Sequence, residues 1–205
     1  MNGWNELVGD TDEATREFLQ RYGFDAERFE ALRARVRAGA ESATNHLRGE
    51  LAPVASHELT TLPDPASRDH AELRREGEEA IRAGRVGVLM LAGGMATRFG
   101  AVVKALAPAY GGRTFLDIKL DDARDVAAAL GARVPVLIMS SFATHDALLG
   151  ALPAPSEALP IEVFPQEVSL RVTPTGELHR DASGALSPYA TGHGDLTFAL
   201  RRSGA

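Results

Sequence analysis

The sequence predicts an α/β fold in which a polar, helical N-terminal segment precedes a sheet of short parallel strands. Three observations carry this reading. Short apolar runs at residues 86–91, 134–139 and 161–164 have the length and composition of buried strands. A helical apolar pattern at 115–130 separates the first two. No comparable strand run occurs before residue 85, so the chain divides into a helical segment, 1–84, and an α/β portion, 85–205.

In order along the chain, Asp10 and Glu13 have capping-box spacing, and Gly23 can end the short helix that follows. Phe29, Leu32, Val36, Ala40 and Leu47 fall near helical spacing, with Gly49 as a stop. Residues 53–65 contain three prolines and read as a connection. A helix is expected over 68–83, with Ser67 as N-cap and Gly84 just past its end. The strand at 86–91 closes on Gly93-Gly94. The helix at 115–130 places Leu116, Leu120, Ala123, Ala127 and Leu130 on one face, with Gly131 after it. A short helix is expected from Asp146, a hairpin around Pro174-Thr175-Gly176, and a last helix over 195–202. In such a sheet, ligands bind at the carboxyl ends of the strands.

Composition removes several functions. Net charge is −6, from 22 basic and 28 acidic side chains, so nothing supports nucleic-acid binding. With no cysteine there are no disulfides or thiolate metal sites. The first residues lack a basic region followed by an apolar run, and the longest apolar run is too short for a bilayer, so the expectation is a cytoplasmic protein with no membrane partner. His46, His57, His70 and His179 lack metal-ligand spacing, and Asp121-Asp122 reads as a solvated helix face.

The most informative segment follows the first strand: Leu91-Ala92-Gly93-Gly94-Met95-Ala96-Thr97-Arg98-Phe99-Gly100, with Lys104 close behind. Glycines let the backbone turn sharply and approach a ligand, and the main-chain N–H groups can hold phosphate oxygens or a base edge. Arg98 adds a planar cation suited to phosphate. The segment is not a P-loop, because Ala101 follows Gly100. Nor is it a dinucleotide fingerprint, because its glycines are adjacent, which disfavours an oxidoreductase.

This segment resembles the signature of the UDP-glucose/UDP-N-acetylhexosamine pyrophosphorylase family. Three later segments match in order and rough spacing: Met139-Ser140-Ser141-Phe142-Ala143-Thr144-His145, Phe164-Pro165-Gln166 and Gly192-His193-Gly194-Asp195. The resemblance implies a Rossmann-like, glycosyltransferase-A-like nucleotidyltransferase sheet, of which 85–205 is the N-terminal portion. It implies that UTP and a hexose 1-phosphate are the substrates, with Mg²⁺ as cofactor. The backbone of Leu91, Ala92, Gly93 and Gly94, with Gln166 and Gly192, would hold the uracil, although from the residues alone Gln166 reads as a surface glutamine. Arg98 and Lys104 would bind the triphosphate, and His193 and Asp195 would lie near the sugar phosphate. Asp195 has a second reading as a helix N-cap, and Thr144-His145 reads as site wall or cap.

Two features depart from the family pattern. Ala96 stands where a glycine is usual, so a left-handed backbone there would be disfavoured. Family members also continue past Gly-His-Gly-Asp, where the next strand carries a Mg²⁺-binding aspartate, so the activity is assigned to the parent protein. The Gly-His-Gly-Asp form favours glucose 1-phosphate. N-acetylhexosamine or broader specificity, and a fragment that binds UTP or UDP-sugar without turnover, stand as alternatives.

Overall fold

The computed structural model describes residues 11–39, 49–96 and 102–204. Asp10, Ala40, His46, Leu47, Thr97, Arg98, Phe99 and Gly100 lie outside the described residues.

The core of the fold is a three-stranded parallel sheet in the order β1 (Val88–Leu91), β6 (Val136–Ser140), β7 (Ile161–Pro165). Between β1 and β6 run β2 (Met95–Ala96), β3 (Val102–Val103), β4 (Pro108–Tyr110), β5 (Arg113–Thr114) and the long helix α4 (Phe115–Leu130). Here β2 pairs with β3 and β4 with β5, both antiparallel. The Ala96 backbone therefore lies in an extended strand, paired with Val102, and is not left-handed. Helix α5 (His145–Ala151) connects β6 to β7.

Helix α4 forms as its sequence dictates. Thr114 and Asp117 cap each other's backbone at its start, and Gly131 ends it. The backbone and side-chain N–H and O–H donors of Thr114 hold the Asp117 carboxyl below its usual range. Of the face expected from its pattern, Leu116, Leu120, Ala123 and Ala127 share a core with Val136, Ile138 and Leu148, while Leu130, in the last turn, is only half-buried. The other face of the sheet is covered by α6 (Leu196–Ser203), whose Leu196, Ala199 and Leu200 pack on Leu137, Met139 and Phe164. That cover spans only β6 and β7. Leu89 and Leu91, on the same face of β1, stay 41% and 45% exposed, so β1 is half-buried, where the sequence predicts a buried strand.

Two N-terminal helices, α1 (Glu13–Arg21) and α2 (Ala26–Arg37), form a second core with β8 (Val168–Leu170). Leu19, Tyr22, Phe24 and Phe29 pack on Val168 and Leu170, and the Val168 N–H donates to the Tyr22 carbonyl at 2.9 Å. Helix α1 is capped by Asp12, not by the expected Asp10, because the Asp12 carboxylate accepts from the Thr15 N–H at 2.7 Å. Helix α2 is capped by Asp25 and ends at Arg37, short of the expected span.

Residues 50–67 carry one short 3-10 turn, Ser56–Glu58, and α3 (Arg68–Arg82) starts at Ser67 as expected. Helix α3 buries no side chain fully. Its outer face is laced by Arg68–Glu72, Arg74–Glu78 and Arg75–Glu79 pairs at 2.8–2.9 Å, solvated contacts that contribute little to stability.

The expected hairpin at 170–180 forms around Gly176: Val172 bridges Leu178, the Thr173 N–H donates to the Glu177 carbonyl at 2.7 Å, and the His179 N–H donates to the Arg171 carbonyl at 2.9 Å. Next to that tip, strand β8 pairs with β9 (Pro188–Ala190), and Val168 and Leu170, with the partly buried Val172 and Leu178, pack on the N-terminal aromatic core. Among the described residues no helix is long and apolar enough to cross a membrane.

The second core makes the N-terminal helices part of the fold. Leu19 is fully buried, so Leu19→Ala should lower unfolding free energy by ~2–5 kcal/mol. Leu62→Ala, at a position 86% exposed, should stay within ~0.5 kcal/mol in the same urea titration.

Candidate functional site

Strands β1, β6 and β7 all end at one edge, and the segments leaving them are bonded to one another. The Ala92 N–H donates to the Met139 carbonyl at 2.8 Å, and the Gln166 N–H donates to the Ser140 carbonyl at 2.9 Å. Beyond the sheet, side chains take over as donors. The Ser141 hydroxyl donates to the Gly93 carbonyl at 2.8 Å, and the Thr144 hydroxyl to the Ala92 carbonyl at 3.0 Å. Both residues are buried. The glycine turn is therefore held from beneath by two hydroxyls from the β6–α5 connection. Thr144 occupies the N-cap position of α5 without making a capping bond, since its side chain serves the turn.

Gln166 is 3% exposed and is not the surface residue that its position in the chain alone suggests. Its carboxamide bridges two of the expected site segments. Its Oε1 accepts from the Gly192 N–H at 2.7 Å. Its Nε2 lies against Gly93, where an added Cβ would stand 2.0 Å from it. Position 93 thus requires glycine for close approach. Gly192 has φ 96°, a backbone that L side chains rarely adopt, and it turns the chain back toward Gln166.

Asp195 stands at the head of α6 but makes no capping bond. Its carboxylate reaches across to the β7–β8 connection, where Oδ2 accepts from the Glu167 N–H at 2.6 Å. The capping reading of Asp195 is thereby replaced by a tertiary one.

Leu91, Ala92, Gly94, Lys104 and His193 line a cleft of about 490 Å³, together with Leu89, Phe115 and Lys119. The Lys104 N–H donates to the Gly94 carbonyl at 3.4 Å, which returns the chain to the glycine turn. Of the sites expected from sequence, Leu91, Ala92, Gly93, Gly94, Lys104, Gln166, Gly192, His193 and Asp195 converge on this end of the sheet, while Arg98 lies outside the described residues. A larger cavity, about 730 Å³, lies between α1 and residues 180–188 and shares none of them.

Sequence reasoning assigned no role to Ser140, Ser141, Glu167 or Lys119. Paired serines at the end of an apolar strand were the available signal for the first two, because buried hydroxyls need partners. Ser140 Oγ lies 2.8 Å from His145 Nδ1 and 3.2 Å from the Phe164 carbonyl, so its hydroxyl bonds within this buried corner. Burial pushes the His145 imidazole below its ordinary value; Asp146 opposes this and Arg21 adds to it.

Among the described residues no three His, Asp or Glu side chains converge as a metal site. The Glu167 and Asp195 carboxyls are flanked by Arg28 and Arg202, which does not suit a divalent cation. Among the described residues these carboxyls therefore form no divalent-cation site.

A family model described as UTP--glucose-1-phosphate uridylyltransferase matches residues 40–205. The chain belongs to this family. It is 30% identical over 145 residues to the potato (Solanum tuberosum) UTP--glucose-1-phosphate uridylyltransferase, covering 68% of this chain and 29% of that protein. It is 29% identical over 150 residues to a probable UDP-N-acetylglucosamine pyrophosphorylase of Encephalitozoon cuniculi, covering 73% and 43%. The chain thus spans less than half the length of these relatives. Among solved structures, the UDP-N-acetylglucosamine pyrophosphorylase of Trypanosoma brucei superposes with a TM-score of 0.63 at 20% identity, over 95% of this chain and 41% of that one. A putative enzyme of the same name from Entamoeba histolytica gives 0.56 at 19% identity, over 65% and 37%. These likenesses establish the fold: a mixed α/β structure with a parallel sheet.

Two outcomes follow from the geometry. Gly93→Ala should force Gln166 out of its place, read as a shift of the Gln166 side-chain amide resonances by NMR, with little change in melting temperature. His145 has a folded-state pKa below its unfolded value, so its protonation favours unfolding and stability falls as pH drops through ~6.5. Urea midpoints of His145→Gln should lose that part of the pH dependence.

Proposed function

We propose that this chain carries the nucleotide-binding part of a UTP:sugar-1-phosphate uridylyltransferase acting in the cytoplasm, on a Rossmann-like nucleotidyltransferase sheet. The observation that carries this reading is the buried Gln166 carboxamide, set between Gly93 and Gly192 at the carboxyl ends of the strands. A base edge inserted there would meet main-chain N–H and C=O groups and a carboxamide, which together match the alternating acceptors and donor of uracil. With Oε1 engaged by Gly192, the Gln166 group offered to such a base is the Nε2 donor, which suits a uracil carbonyl.

In the reaction, a phosphate oxygen of the sugar 1-phosphate attacks the α-phosphorus of UTP. A new P–O bond forms as the bond from the α-phosphorus to the bridging oxygen breaks, and pyrophosphate leaves with that electron pair. A phosphate monoester has a second pKa near ~6, so the nucleophile is already ionised and needs no general base. The difficulty is the approach of two anions. Arg98 and Lys104, on and just after the glycine turn, would neutralise the triphosphate, and His193, which lines the same cleft as Lys104, would hydrogen-bond the sugar phosphate. Asp195 would keep the segment carrying His193 in place rather than touch substrate. Mg²⁺ would enter on the triphosphate and supply further charge neutralisation.

Glucose 1-phosphate is the preferred acceptor on the Gly-His-Gly-Asp segment. N-acetylhexosamine 1-phosphate is the second reading, favoured by the relatives named for UDP-N-acetylglucosamine.

Pyrophosphate release from UTP with each sugar phosphate and Mg²⁺ tests this. Arg98→Ala should lower kcat/KM by ~10²–10³ in a chain that turns over. If the chain binds UTP without turnover, and Arg98→Ala weakens that binding, the fragment reading holds instead. A folded chain that neither turns over nor binds UTP removes the proposal.

A further inference from the structure

The segment that carries Gln166 is gripped at alternating residues. The Phe164 carbonyl lies 3.2 Å from the Ser140 hydroxyl, the Gln166 N–H donates to the Ser140 carbonyl at 2.9 Å, and the Val168 N–H donates to the Tyr22 carbonyl at 2.9 Å. Ser140 therefore supplies two of these three ties, one from its side chain and one from its backbone. The same Ser140 carbonyl borders the glycine turn, because a Cβ added at position 93 would stand 3.3 Å from it. The end of β6 is thus the common support of Gln166 and Gly93.

Ser140 is fully buried, so its hydroxyl can rest only where partners meet it. One is the Phe164 carbonyl, and the other is His145 Nδ1, 2.8 Å from Oγ. His145 is the first residue of α5 and is half-buried. Its ring is held from the N-terminal side. Tyr22, at the C-cap of α1, meets the imidazole edge-on, with centroids 6.4 Å apart and the rings at 87°. Tyr22 also meets the Phe142 ring at 6.2 Å, and the neighbouring Arg21 pairs with Asp146 at 3.4 Å. The bond between His145 and Ser140 spans residues 141–144, and within that span lie Ser141 and Thr144, whose hydroxyls hold the glycine turn. It closes the loop from which the turn is supported.

We propose that His145 is a positioning residue that acts through Ser140: the imidazole locks the Ser140 side chain at the end of β6 and so fixes the Gln166 segment against Gly93. Through Tyr22 and Arg21 the same residue ties the end of α1 to the base site. The inference rests on the nucleotide reading above for its ligand, but not for its geometry.

The role asks for a hydrogen-bonding atom at the δ position of residue 145. Asparagine has one, and its amide can donate or accept, whereas alanine has none. In the full chain, His145→Ala is expected to weaken UTP binding about fivefold, the net worth of one neutral hydrogen bond, while His145→Asn stays within about twofold of the unaltered chain. The side-chain amide resonances of Gln166, followed by NMR without nucleotide, should shift in His145→Ala and hold in His145→Asn. Because the effect passes through Ser140, adding His145→Ala to Ser140→Ala should weaken binding no further than Ser140→Ala alone. Melting temperatures check that each variant is folded, and if Ser140→Ala does not fold, the contrast between Ala and Asn at position 145 decides. Unchanged binding and unchanged Gln166 resonances in His145→Ala would overturn the proposal. So would an Asn variant as impaired as Ala, or losses at 140 and 145 that simply add, since His145 would then act by another route. If the unaltered chain fails to bind UTP while the Gln166 resonances still follow position 145 as expected, the nucleotide reading falls and the positioning role stands.

Discussion

Parallel strands that end at a common edge leave backbone carbonyls with no further strand partner, and in a buried setting each must find a donor. At this edge the carbonyls of Ala92 and Gly93 are met by Thr144 and Ser141, and that of Ser140 by the Gln166 N–H. Every later feature of the site depends on these bonds. They anchor the glycine turn from one side, so its other side faces the cleft. They also draw the β6–α5 and β7–β8 connections close enough for Gln166 to touch Gly93.

The two faces of the sheet are treated differently. Helix α4 covers one face across β1 and β6 with a continuous apolar stripe. Helix α6 covers the other only over β6 and β7, and its placement depends as much on polar ties as on apolar ones. Asp195 and Arg202, at its two ends, both bond to the segment around Gln166. Arg28 and Phe198 extend the contact to α2. The aromatic residues of the N-terminal helices, Phe18, Tyr22 and Phe29, are the apolar counterpart: they bury β8, which begins two residues after Gln166.

How well each element was legible follows from the range of the forces that make it. Helix 115–130 carries its cap, its buried stripe and its terminating glycine within its own residues, and the structure matches the expectation. The start of α3 at Ser67 is equally local. The hairpin around Gly176 forms at its tip, where the turn is local, whereas the pairing of β8 with β9, eighteen residues further on, is marked by no neighbouring residue. Asp195 looked like a cap because capping is judged from neighbours in sequence, whereas its carboxylate is taken by Glu167, 28 residues away.

The sequence by itself determined the α/β class of the fold and the four segments that mark the family. Those properties rest on apolar periodicity, glycine placement and short-range caps, all of which are written in adjacent residues. Only the tertiary structure decided that Gln166 is buried, that hydroxyls of Ser141 and Thr144 hold the glycine turn, and that Leu89 and Leu91 remain half-exposed. Burial and hydrogen-bond satisfaction depend on which segments meet at the end of the sheet, and no single segment carries that information.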